Sequence, residues 1–211
     1  MINPKRFVAP LELQRPRNAH RLETFSPKLG RRLRLYDRAA FEWWLQLESN
    51  PGVHAFCERP ARLHLGHAGT ALIDFWVCYA DREEVHLIAL DAPLANVPLP
   101  ASMAFGIGEQ ASVRIIRRED VMAQRTWILN WERMLPFITA SRGMISPALR
   151  QRILAAIGGS KQLSNLEREM APVDAMLVKG AVFALLHEGQ VSAASLHEHA
   201  LSLRTRFSPT R

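Results

Sequence analysis

Only two cysteines, Cys57 and Cys78, occur in the 211 residues. They form neither a disulfide framework nor a metal-ligand pattern, so a reducing cytoplasm is the expected setting. No apolar run approaches the ~20 residues of a membrane span, which argues against an integral membrane protein. The N-terminal stretch MINPKRFVAPLELQRPRN lacks the continuous apolar segment of a secretory signal. Internal repeats and low-complexity tracts are also missing. What the chain has is apolar bulk: 48% of its residues are hydrophobic, enough to exclude wholesale disorder and to build one large or two small cores.

Acidic charge is scarce at one end. The formal net charge is +7, and residues 1–38 carry all of it, because lysine plus arginine balance the acids in the remainder. The run KLGRRLRLYDR and four prolines lie in this basic N-terminal arm. Such arms meet nucleic acid or acidic membranes, or stay solvated. Arginine far outnumbers lysine, which favours phosphate contact through its planar fork.

Patterning predicts a helix over DRAAFEWWLQLESNPG, capped by Asp37 and stopped at Asn50-Pro51-Gly52. Trp43 and Trp44 read as a stacking platform for bases or as core, with core favoured for at least one. VHAFCERPARLHLG reads as a strand broken near Pro60. LIDFWVCY and EVHLIAL read as two central strands around the turn ADRE. DAPLANVPLPASMAFGIGEQ is expected to be loop or crossover, and SVRIIRRED a strand entering a helix. A long helix is expected over VMAQRTWILNWERMLPFITASRG. Three further helices follow: one with Ser146 as cap, Pro147 at the first position and Gly158 as stop; one with a Ser164/Glu167 capping box; and one ended by Gly189. Short strand-like pieces close the chain. Three helices and a small wing outline a winged helix. The expected organisation is an arm (1–30), an α/β domain (31–118), a connecting helix (119–145) and an α-rich winged-helix-like domain (146–211).

Asp74 sits inside an apolar strand, where an acid calls for a partner or a task. A hairpin centred near residues 81–82 places it opposite roughly residue 89, beside Leu87, Ala89 and Asp91. A metal-dependent hydrolytic site needs a second carboxylate there to hold a hard cation, and Asp91 is the nearest candidate. Glu84-Val85-His86 is a distorted acid-x-lysine with histidine in the lysine place, but the hairpin carries Glu84 far from Asp74. Glu83 lies in the turn, and His64 and His67 read as exposed loop residues.

The helix ending in Leu-Glu before Asn-Pro-x-Val, then Phe-Cys-Glu-Arg-Pro, then Ile-Asp-Phe and an apolar strand, resembles the TnsA-type endonuclease subunit of heteromeric transposases. The resemblance covers about residues 31–205. It implies a PD-(D/E)xK nuclease-like domain, a mixed sheet with flanking helices, followed by a winged helix. The family's metal-binding acid falls on Asp74. Its Gln/Glu-x-Lys falls on Ala89-Leu90-Asp91, and its helix glutamate on Ala40, with Glu42 two positions away. Its Glu-Gln-Pro reads Glu58-Arg59-Pro60. The resemblance thus implies a cytoplasmic bacterial protein, with the nucleoid when bound to DNA. Its role is to bind transposon-end double-stranded DNA, a DDE-type transposase and an AAA+ ATPase regulator. The cleavage site is degenerate and takes no cofactor, or Mg²⁺ or Mn²⁺ at Asp74 if active. Alternatives are an active endonuclease making the 5′-strand cut with Asp74 and Asp91 or Glu42, and a winged-helix regulator unrelated to transposition. Candidate DNA contacts are Arg31, Arg32, Arg34, Arg150, Arg152, Lys161, Lys179, Arg204 and Arg206.

Overall fold

The computed structural model describes residues 6–15, 17, 19–64, 69–89, 100–106 and 109–210. The chain is mixed α/β and forms two compact units, Met1–Glu48 with Gly52–Ala123 and Ser49–Pro51 with Gln124–Arg211. Among the described residues no helix is long and apolar enough to cross a membrane.

The first unit opens with a hairpin of β1 (Leu22–Ser26) and β2 (Arg31–Leu35). Part of the expected arm is therefore folded. Helix α1 (Arg38–Ser49) follows, and Asp37 caps it as expected, its Oδ1 accepting the Ala40 N–H at 2.6 Å. Next come β3 (Ala55–Glu58), β4 (Arg62–His64), β5 (Thr70–Leu72), β6 (Phe75–Cys78), β7 (Glu83–Ile88), β8 (Ser102–Gly106) and β9 (Glu109–Ile116). The central sheet has the order β3-β6-β7-β9-β8. Strands β3, β6 and β7 form an antiparallel meander, β9 runs parallel to β7, and β8 is antiparallel to β9. Strands β4 and β5 pair in a separate ribbon. The segment expected as loop thus contains β8, whose Met and Phe were masked in the sequence by flanking Pro and Gly.

The β6–β7 turn is tighter than expected. Tyr79 N–H bonds the Arg82 carbonyl at 2.9 Å and Cys78 pairs with Glu83, leaving a two-residue loop. The register moves accordingly: Glu84 faces Val77, Phe75 faces His86, and Asp74 comes opposite Leu87 rather than residue 89. One face of the sheet buries Cys57, Trp76, Cys78, Val85 and Leu87. On the other, α1 brings Trp43 against His86. Trp43 and Trp44 are both core, 4% and 1% exposed, which removes the stacking-platform reading.

The expected connecting helix is two helices, α2 (Arg118–Met122) and α3 (Arg125–Ala140), and the units divide between them. The second unit continues with α4 (Pro147–Ile157), β10 (Lys161–Gln162), α5 (Leu163–Glu169), α6 (Ala175–His187), β11 (Val191–Ser192) and β12 (Arg206–Pro209). Its small sheet has the order β10-β12-β11. Ser146 caps α4 through the Leu149 N–H, with Pro147 in the first turn, as expected. The Ser164/Glu167 box does not form. Helix α5 begins one residue before Ser164, with Gln162 at the cap position, because the backbone there pairs with the Leu203 and Thr205 carbonyls. Helix α6 is almost wholly buried from Val178 to Leu186, with α3 packed on it: Phe137 meets Phe183 edge-on at 5.6 Å, and Gly180 lies against Ser141.

Candidate functional site

Asp74 lies at the bend where the chain leaves the β4–β5 ribbon and enters the central sheet. Its N–H bonds the His86 carbonyl at 3.0 Å, and its Oδ2 accepts the Ile88 N–H at 2.6 Å. The next N–H back along the chain, at Ile73, already bonds the Ala61 carbonyl of the other ribbon. The Asp74 carboxylate therefore takes the place of a strand carbonyl and satisfies a ladder amide that the bend leaves open.

Asp74 borders a cavity of about 110 Å³ lined also by Asp37, Ala40, Glu58, Arg59 and Tyr36, with Leu13 and Gln14 of the N-terminal segment. Burial pushes the Asp74 carboxyl up from its ordinary 3.8 to about 7; the Ile88 amide opposes this, Asp37 adds to it, and Arg59 opposes it. Glu58 is committed elsewhere. It holds Arg31 in a two-pronged ion pair at 2.6 and 2.9 Å.

Arg59 is 9% exposed and sits at φ +47°, a left-handed conformation that costs a non-glycine residue about 1–3 kcal/mol. Four contacts hold it there. Its N–H bonds the Asp74 carbonyl at 2.8 Å, and its carbonyl accepts the Leu11 N–H at 2.9 Å. Its guanidinium donates to the Arg34 carbonyl at 2.6 Å and lies 5.0 Å from the Tyr36 ring centre. Among the described residues its Nε has no hydrogen-bond partner.

A divalent cation at Asp74, as the resemblance implies for an active site, does not fit these residues. One carboxylate oxygen is bound to Ile88, a fixed guanidinium shares the cavity, and Glu58 already neutralises Arg31. Ala40 does line the cavity, where the resemblance puts the helix glutamate, and offers no ligand. Glu42 pairs with Arg38 at 2.8 Å and is not part of the cavity wall. Ala89 continues the sheet through its N–H to the Ile116 carbonyl. Asp91, with His67, lies outside the described residues. Among the described residues no three His, Cys, Asp or Glu groups gather to hold a metal.

A second polar cluster fills the α1 face of β7. The Trp43 indole donates to His86 Nδ1 at 3.0 Å, so Nε2 carries the proton and donates to Glu84 at 2.9 Å. Glu84 also accepts from Arg82 at 2.7 Å. The His86 bond, then Arg82, hold the Glu84 carboxyl down at about 2 against the effect of burial. Burial lowers the His86 pKa, keeping the ring neutral. On the opposite face, Glu83 takes Arg6 in a two-pronged pair at 2.7 and 3.1 Å and the Trp76 indole at 2.8 Å, while Phe7 packs edge-on against Trp76 at 5.5 Å. Residues 6 and 7 are thus part of the core of this unit. Cys57 and Cys78 are buried free thiols, as expected, and burial raises Cys57 to about 12.

The nine candidate DNA contacts divide by their partners. Arg31, Arg34, Arg150, Lys161 and Lys179 pair with Glu58, Glu23, Glu188, Glu169 and Glu167. Arg206 reaches the Ser160 carbonyl at 3.5 Å. Arg32, Arg152 and Arg204 are exposed, with no side-chain hydrogen bond or ion pair among the described residues. Arg59 was not singled out from the sequence as a site, although arginine in the middle place of Glu58-Arg59-Pro60 was a signal. Glu84 and His86 were read only as a distorted acid-x-lysine, and the structure joins them to each other and to Trp43.

No family model matches the chain, and no curated protein matches it.

Proposed function

We propose that the chain is a TnsA-like subunit of a DNA transposition machinery, which binds transposon-end DNA and its partner transposase and ATPase and does not itself cleave. The observation that carries the reading is Asp74 at the entry to the middle strand of the β3-β6-β7 meander, with its carboxylate spent on the Ile88 amide. A mixed sheet with a flanking helix and one acid at that strand entry is the frame the resemblance calls for. Ala40, Ala89 and Asp91 stand where the resemblance puts the helix glutamate, the Gln/Glu and the lysine, and Arg59 where it puts the glutamine of Glu-Gln-Pro. Binding duties need none of these.

The second unit supports the same reading. Its order α4, β10, α5, α6, β11, β12, with a three-stranded sheet, agrees with the winged helix that the resemblance implies. Because α3 packs over α6, contact with nucleic acid from this unit falls to exposed cations such as Arg152 and Arg204 rather than to the face of α6 under α3.

The test is nicking of supercoiled plasmid in Mg²⁺ and Mn²⁺ by the wild type and Asp74→Ala, alone and with a cognate transposase if one is encoded nearby, next to a gel-shift assay on the same DNA. The expected result is DNA retained by both proteins and no nicking by either alone. Nicking that disappears in Asp74→Ala overturns the non-cleaving reading, and absence of any DNA binding overturns the whole proposal.

A further inference from the structure

The β1–β2 hairpin sorts its side chains by strict alternation. Leu33 and Leu35 are 0% and 1% exposed and face the protein. Arg31, on the same side, reaches inward to Glu58. Arg32 and Arg34 point the other way and are exposed; across the ladder they face Phe25 and Glu23. Arg21, just before β1, pairs with Glu23, as does Arg34. The outer face thus holds three arginines against one glutamate, and the segment leading into it adds the exposed Arg15, Arg17 and His20. None of the large exposed apolar side chains lies on this face.

The hairpin is fixed from below at several points. Glu58 grips Arg31, and Arg59 donates to the Arg34 carbonyl. At the turn, the buried Glu48 binds the Ser26 hydroxyl and the Lys28 N–H, while the Lys28 ammonium donates to the Leu47 and Val53 carbonyls at 3.2 and 2.8 Å. The arginines are therefore presented on a rigid platform, which lowers the ordering cost of binding.

We propose that this outer face lies in the major groove of double-stranded DNA, with Arg32 and Arg34 at the base edges or flanking phosphates. The inference rests on the DNA-binding reading above. Two strands about 4.8 Å apart and about 17 Å long match a groove about 12 Å wide, which admits a two-stranded ribbon. The planar guanidinium suits guanine O6 and N7 as well as phosphate. A membrane surface would call for fully exposed apolar side chains among the cations, and the apolar side chain that this face carries among the described residues, Phe25, is half-buried.

The test is fluorescence anisotropy of a labelled duplex over a salt series, with dimethyl sulfate protection of guanine N7 on the same duplex. The proteins are the wild type, Arg32→Ala/Arg34→Ala and Arg32→Lys/Arg34→Lys, each checked by thermal melting. The alanine pair is expected to flatten the slope of log K against log salt by roughly two and to lose N7 protection. The lysine pair should keep most of the slope. DNA binding with an unchanged slope and unchanged protection overturns the ribbon while leaving the functional reading standing. A flattened slope without any wild-type N7 protection overturns the groove docking. No DNA binding by the wild type, with binding to anionic vesicles lost in the alanine pair, overturns both and assigns the face to membranes.

Discussion

Asp74 Oδ2 accepts the Ile88 N–H at 2.6 Å, a side chain standing in for the backbone of a strand that has turned away. Removing that acceptor in Asp74→Ala leaves a sheet amide unpaired and should cost about 1–3 kcal/mol in urea denaturation at pH 5. Asp74→Asn, whose amide oxygen can accept the same bond, should recover most of it.

The same carboxyl sets a pH dependence. Its pKa is raised on folding from 3.8 to about 7, so the native state holds the proton more tightly than the unfolded chain. Its stabilising contribution is complete below about pH 4 and is lost as pH rises through 7. His86, with a lowered pKa, acts in the opposite sense and favours the native state as pH rises through its ordinary value of 6.5. The stability difference between wild type and Asp74→Asn cancels the His86 part. It should move against the wild type between pH 5 and 8 by denaturant titration.

Trp43→Phe removes the indole that donates to His86 Nδ1 and leaves a buried acceptor unmet. A loss of about 1–3 kcal/mol is expected. Adding His86→Leu to Trp43→Phe should cost less than the two single changes summed, a coupling that a double-mutant cycle reads directly.

Arg59→Ala keeps the left-handed backbone but loses the bond to the Arg34 carbonyl and the Tyr36 contact. Amide exchange over Leu22–Leu35 should accelerate. Arg59→Gly relieves the backbone cost and should unfold at a higher temperature than Arg59→Ala, with hairpin exchange equally fast.

Gly180→Ala places a methyl 2.1 Å from Ser141 Oγ and 3.1 Å from the Phe137 carbonyl, where α3 and α6 meet. The clash should cost about 1–3 kcal/mol in thermal melting, and Ser141→Gly in the same chain should return part of it.

Much of the fold was legible in the sequence because its signals are local. Asp37 and Ser146 cap helices whatever lies around them, and the apolar runs of β6 and β7 announce central strands. What was hidden depends on distant partners. Ser164 loses its cap because Leu203 and Thr205, in the turn before β12, occupy the first amides of α5. Strand β8 exists through its pairing with β9. Asp74 was visible as an acid out of place, yet its task required the tighter turn at Ala80-Asp81, which moves the register by two. Arg31 and Arg32 look alike in the run KLGRRLRLYDR, and only strand alternation separates the arginine that faces Glu58 from the one that faces water.

The grip of Glu58 and Arg59 on Arg31 and the Arg34 carbonyl also fixes phase. Sliding β2 by one residue would exchange its two faces, carrying Leu33 and Leu35 into water and driving Arg32 and Arg34 into the core. A two-stranded ribbon this short has little pairing of its own to resist such a slip. Glu58 at the end of the edge strand β3 and Arg59 just after it act as a ratchet pawl, letting the hairpin seat in one notch only.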